Sequence, residues 1–441
     1  MRLKKLTAGL WSCKLKHHRY ILILQSLLLL FGSCASSRIV YQENTVIPGD
    51  FSGIVHAGGS RTNKEFEFLN YLGISWTLHT FRWNDIEPVQ GEWDFLTLDA
   101  LVDKADNFGI KIIGVLAYDN WRLHEDRDVH KYIPPQYIPD FLQYVRKTVE
   151  HFRGRVGAWC IWNEPNFISW NGTDEEFFEL ARLTADAVRE VDNEVILLGG
   201  AFNRNVFGLH EKFIRGLFES GAMDKTDAIA FHPYELNPYR TVLLYEQFRN
   251  IVDDYGFGDK IWVTEVGYPT GGWYPTRVQE KRLPEYVIKT CVLLAGAGAQ
   301  KIIWYQLFDP FWRPKGNSED FFGLVRSRRD YISKGAEAFR LCAIFLSGTN
   351  CYAAGQGADG LPRSMRSFWF RGTGRGVLVL WNDNLGQVRI RLRLSQANFM
   401  FHDPVTGAES QIQADTVINV SRMPVFITWD GSEDRPEIRL L

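Results

Sequence analysis

Two glutamates stand where a pair of carboxyl groups could do chemistry. Glu164 lies in WCIWNEPN and Glu265 in WVTEVGYPT, each close behind an apolar run. One carboxylic acid can protonate a leaving oxygen while a second carboxylate attacks the neighbouring carbon. That pairing hydrolyses a glycosidic bond with retention of configuration. The charge of the attacking carboxylate raises the pKa of its neighbour, which keeps the acid protonated near neutrality. His232 and Tyr234 form an H-x-Y pair behind another apolar run, and Trp304 and Tyr305 close a further one. Motifs for other chemistries are missing: there is no GxSxG, no HExxH and no P-loop, and no metal ligands cluster. Proton transfer and carboxylate attack need no organic cofactor, so neither cofactor nor metal is expected.

The elements that must position these side chains alternate along the chain. Candidate strands are 53–57, 75–81, 110–118, 156–162, 194–200, 227–234, 260–266 and 301–308. Several are almost continuously apolar, as parallel strands covered on both faces must be. Helical periodicity fills the gaps, at Glu175 to Val191, Pro139 to Phe152, Thr241 to Tyr255 and Arg282 to Gly296. Eight strand–helix units over 51–347 predict an α/β fold, a (β/α)₈ TIM barrel. A doubly wound sheet is the rival, but no GxGxxG follows any of the eight strands. In a barrel, chemistry sits at the C-terminal strand ends, which is where Glu164 (strand four) and Glu265 (strand seven) fall. Beyond Gly348 the pattern changes to short alternating runs between Gly, Asn and Asp turns. Residues 348–441 are therefore expected to form a small antiparallel β-module, sandwich-like, with 38–50 as a linker or an added strand.

On these residues the chain resembles glycoside hydrolase clan A, the retaining (β/α)₈ glycosidases. The likeness implies that Glu164, in Asn-Glu after strand four, is the acid/base and Glu265 the nucleophile. It implies that Asn163 hydrogen-bonds the sugar 2-hydroxyl, that Tyr234 holds the nucleophile and that His232 contacts substrate. It also implies an aromatic floor at strand eight, supplied by Trp304 or Tyr305. DPVTG (403–407) and PVFITW (424–429) in the terminal module resemble family thirty-nine and its bacterial exopolysaccharide endoglycosidases. Leu78 stands where many members carry a strand-two Arg; Arg82, four residues on, could take its place. Apolar sugar faces stack on aromatic rings, so Trp121 is a subsite candidate, with Trp83, Trp170, Trp273 and Trp312 behind it.

Composition bounds the partners. The formal net charge of −2 over 441 residues gives no electrostatic case for nucleic acid. Six basic and no acidic residues fall in 1–33, ahead of a 12-residue apolar run from Tyr20 to Phe31 and the small-residue stretch around Cys34. Residues 1–37 thus read as an export leader, too short in its apolar part for the ~20 residues that span a membrane. FGSC resembles a bacterial lipobox, which implies lipidation at Cys34; free secretion and an uncleaved anchor stay open. The four cysteines after the leader show no metal spacing. They are expected as buried thiols, with Cys342–Cys351 the one locally plausible pair. The expectation is an exported, lipid-anchored glycosidase acting on a poly- or oligosaccharide. A non-catalytic glycan-binding barrel and a transglycosylase are the alternatives, and the complete carboxylate pair argues against the first.

Overall fold

Eight parallel strands close into a barrel: β1 (Ser52–Val55), β2 (Trp76–Phe81), β3 (Lys111–Leu116), β4 (Ala158–Ile161), β5 (Ile196–Asn203), β6 (Ala228–His232), β7 (Ile261–Val266) and β8 (Lys301–Trp304). β1 pairs with both β2 and β8, which completes the ring. The computed structural model describes residues 44–55, 63–123, 131–205, 208–272, 277–309, 318–326, 331–356, 361–393, 399–431 and 436–441. Cys34, Trp273 and Trp312 lie outside them. Among the described residues no helix is long and apolar enough to cross a membrane.

The apolar strand runs are buried on both faces, as a sheet ringed by helices requires. Gly114 in β3 admits the Trp159 ring, since a Cβ there would lie 2.4 Å from it. At the N-terminal mouth Asp50 gathers three strand starts. Its carboxylate accepts from Lys111 Nζ at 2.9 Å, from Trp76 Nε1 at 3.1 Å and from the Lys301 ammonium. Burial opposes its charge, but the two lysines prevail and hold its pKa down at about 2.

Helices Ile138–His151, Asp174–Val191, Pro238–Asp253 and Leu283–Gly296 fall within a few residues of their expected spans. Thr173 starts the second with a reciprocal capping box to Glu176. One strand differs. The Gly199-Gly200 pair reads as the end of β5, yet the strand continues to Asn203. Gly200 takes a left-handed φ of 50° and the register shifts between Gly199 and Ala201, so the glycines make a bulge and not a stop.

The barrel's last helix, Lys334–Leu346, leads into a seven-stranded antiparallel sheet that begins at Asn350–Gln356. Thr45–Val46 adds to its edge. A three-stranded sheet (Asp415–Val420, Val388–Arg393, Glu437–Leu440) lies beside it. Alternation assigns the faces. Phe368, Phe370, Val377, Val379 and Trp381 pack into the barrel's core, while Leu378, Leu380, Ile427 and Trp429 form a second core with Ile390 and Leu392 of the small sheet. The large sheet is a middle layer through its central strands, while its last strand, Glu409–Ile412, is largely exposed. All four cysteines outside the leader are buried free thiols. The neighbour of Cys342 is Cys291 on the adjacent helix, not Cys351 as the spacing suggests.

Candidate active site

Glu164 follows β4 by three residues, and the chain turns sharply to present it. Trp162 and Glu164 both have left-handed backbones, φ 62° and 47°, a conformation that costs side-chain-bearing residues about 1–3 kcal/mol. Several ties hold the turn. The Trp162 amide donates to Leu116 O at 3.2 Å, its indole Nε1 to Ser169 O at 2.8 Å, and the Glu164 amide to Ala201 O at 2.9 Å. Glu265 is the penultimate residue of β7, beside a register shift in the β7–β8 pairing between Val263 and Val266. His232 ends β6 and is fully buried.

These elements converge. Oxygens of Glu164 and Glu265 and the Nδ1 of His232 all lie within 4.8 Å of one another. His232 Nδ1 is 2.9 Å from Glu164 Oε1 and 3.7 Å from Glu265 Oε2, while Nε2 lies 3.1 Å from Thr264 Oγ1. Asn203 Nδ2 donates to the same Glu164 oxygen at 2.7 Å, and the Tyr234 hydroxyl donates to Glu265 Oε2 at 2.8 Å. Among the described residues, Glu164, His232 and Glu265 form a group that could hold a metal ion. As they stand, both histidine nitrogens have hydrogen-bond partners, and 2.9 Å between Nδ1 and Oε1 is a shared proton. Two ligands of a tetrahedral zinc at about 2.1 Å stand roughly 3.4 Å apart.

Charge is distributed unevenly across the pair. Burial pushes the Glu265 carboxyl up to about 7, helped by the charges of Glu164 and Glu319 and opposed by His232 and Tyr234. Burial alone would lower His232, but the two glutamates outweigh it and raise its pKa. Glu164 Oε1 faces two hydrogen-bonding groups, Asn203 Nδ2 and His232 Nδ1, and Glu265 Oε2 accepts one hydrogen bond, from Tyr234.

The aromatic candidates separate. Tyr305 lies edge-on to Tyr234 and Phe322, and its hydroxyl donates to Glu319 Oε2 at 3.1 Å, so it faces the mouth. Trp304 does not: it is fully buried between Tyr268 and Phe339, because side chains alternate along the strand. Trp83 and Trp170 are also core, the first stacked on Tyr144 and the second edge-on to Trp162. Trp121 is half-buried against the Arg122 guanidinium and makes no described contact with either glutamate. Asn163 is hydrogen-bonded to Tyr118. Leu78 is buried, and Arg82 lies over the Tyr118 ring at 5.5 Å. Within the described residues Arg82 makes no ion pair with Glu265, whereas His232 Nδ1 lies 3.7 Å from its carboxylate.

Sequence reasoning missed Asn203, Tyr118, Thr264 and Glu319. Asn203 had a signal in its place near a strand end, which the preceding glycines obscured. Glu319 has none, since it lies in a short helical turn (Ser318–Phe321) far along the chain from its partners.

Known proteins resemble this chain in fold or over part of its sequence. A β-galactosidase family model, glycoside hydrolase family 42, matches residues 56–118, a stretch that ends before Glu164. A family 39 glycoside hydrolase from Bacteroides cellulosilyticus superposes with a TM-score of 0.69 at 20% identity, covering 86% of this chain and 81% of that one. The fold is that of the clan A glycoside hydrolases. A family 30 subfamily 8 xylanase from Clostridium acetobutylicum gives a TM-score of 0.63 at 10% identity, over 90% of this chain and 98% of that one. A β-xylosidase from Caldicellulosiruptor saccharolyticus is 28% identical over 123 residues, 25% of each protein. This chain thus aligns with only a quarter of that relative's length.

Proposed function

We propose that this chain hydrolyses β-glycosidic bonds of a poly- or oligosaccharide with retention of anomeric configuration. The observation that carries the reading is the approach of the two glutamates, one oxygen of each within 4.8 Å of the other across His232. Retaining pairs stand about 5–5.5 Å apart, whereas inverting pairs need about 6.5–9.5 Å to admit a water. Glu265 attacks the anomeric carbon, and the Tyr234 hydroxyl orients the attacking carboxylate. Glu164 protonates the departing oxygen, then takes a proton from the water that releases the sugar. Glu265 attacks as the anion, and positive charge developing at the anomeric carbon favours that anion. Tyr305 forms the floor under the sugar, in the place the sequence shared between it and Trp304. Export rests on the leader, with lipidation at Cys34; the β-galactosidase, xylanase and β-xylosidase likenesses support a neutral β-glycan.

The test is differential. In Glu265→Ala no glycosyl-enzyme forms, so activity falls for every substrate, and azide restores turnover with inverted product. Glu164→Ala still reacts with substrates bearing good leaving groups and then stalls at the covalent intermediate. A fluorosugar labels Glu265 alone. An inverted first product from the unmodified enzyme, read by NMR, would refute the scheme.

A further inference from the structure

Asn203 is held on both sides before it touches Glu164. The side-chain amide of Asn166, in the loop behind Glu164, donates to Asn203 O at 2.6 Å and accepts from Asn203 N at 3.0 Å. It imitates a strand neighbour, bracketing the end of β5 to the β4 loop. Asn203 Oδ1 accepts from the Arg204 amide at 2.7 Å, which fixes the flip of the carboxamide and leaves Nδ2 aimed at Glu164 Oε1, 2.7 Å away. Asn166 and Asn203 are both buried. The same oxygen faces His232 Nδ1, so Oε1 carries two partners, whereas Oε2 has no hydrogen-bond partner among the described residues.

We propose that Asn203, bracketed by Asn166, is a positioning residue for the acid/base: it holds Oε1 of Glu164 throughout turnover and leaves Oε2 as the oxygen that delivers the proton to the leaving group and recovers one from water. The inference rests on the glycosidase reading and extends it. A carboxamide suits this task because it donates without titrating. A histidine or lysine in its place would change charge as Glu164 cycles. The bracket also ties down the left-handed backbone of Glu164, whose amide is bonded to Ala201 on the same strand. The titratable groups that face Glu164 are His232, Glu265, Tyr118, Tyr234 and, further off, Tyr305. None of them is altered by changing Asn203.

Removing the donor takes a hydrogen bond from the Glu164 anion, so its proton is held more tightly. The alkaline limb of kcat/KM, which follows loss of the acid's proton, then moves upward. We expect Asn203→Ala to lift that limb by about one pH unit and lower kcat about 10- to 100-fold, with KM for an activated aryl glycoside changed less than about threefold. Asn203→Asp, which keeps the shape, lifts the limb further, because a second carboxylate then shares the proton. Asn166→Ala moves it less and in the same direction. The carboxyl ¹³C resonance of Glu164, assigned by its loss in Glu164→Gln, should titrate higher in Asn203→Asp whether or not substrate turns over. An active protein whose limb and resonance stay in place in Asn203→Asp overturns the inference alone. A protein with the resonance shift that turns over no glycoside overturns both the glycosidase reading and the proton-delivery role of Oε2.

Discussion

At the scale of the residue, Glu265 ties activity to stability. Its carboxyl is raised to about 7 from an ordinary value near 4.5, chiefly by burial. Between those values the folded chain binds more proton than the unfolded one, so stability is full below about 4.5 and falls as pH climbs through 7. His232 acts with the same sign: raised above 6.5, its contribution is present below that value and is lost as pH rises further. Glu265→Gln, which cannot lose a proton, should therefore gain stability relative to the unmodified protein as pH rises from 4.5 to 7, by on the order of 2 kcal/mol. Denaturant unfolding of both proteins across that range checks it; a difference independent of pH would mean that Glu265 is not held neutral. The glutamates were legible in the sequence because each follows a strand that could only be buried. The surroundings of Glu265 were not legible, because burial beside His232, Glu164, Tyr234 and Glu319 joins residues distant in sequence.

At the scale of the element, strand ends set the geometry of the site through close backbone contacts. Gly267, two residues beyond Glu265, lies so close to β8 that a Cβ would come within 2.1 Å of the Tyr305 carbonyl oxygen. The Tyr305 amide donates to Val266 O at 2.9 Å in the same junction. Gly267→Ala should push β7 and β8 apart at the mouth, displacing both Glu265 and Tyr305. A loss of about 2–3 kcal/mol in stability is expected, with kcat falling at least about 100-fold as the reacting groups shift. Unfolding and aryl glycoside kinetics on one preparation test both, and normal kcat would show that the junction is not what positions the pair. Thr173 offers a control remote from the chemistry. Its removal as Thr173→Ala should cost about 1 kcal/mol, as lost caps do, and leave kcat alone.

For the whole molecule, the question is what the β-module does for the barrel. One face of its large sheet is continuous with the barrel's core, and a buried polar cluster closes the joint. Lys289 of helix Leu283–Gly296 sits between Glu285 at 3.0 Å and Asp383 at 3.4 Å. Asp383 also takes Arg366 at 2.9 Å and the Tyr239 hydroxyl. Asp383→Ala removes the shared acceptor and leaves the Lys289 ammonium with one carboxylate in a dry place. A loss of about 3 kcal/mol is expected, with the module separating first, so that tryptophan fluorescence shows two unfolding steps. A single step with unchanged midpoint would make the cluster incidental.

The sequence by itself determined the barrel, the antiparallel module, and the two strand-end glutamates. Those features follow from local apolar periodicity and from a topology that places every strand end on one face. Tertiary structure alone decided that Tyr305 and not Trp304 faces the barrel mouth, that β5 runs through its glycines to deliver Asn203, and that Cys342 meets Cys291. Each of these turns on a contact between residues far apart in the chain, or on the side of a strand a residue takes after a bulge. Periodicity carries no record of either.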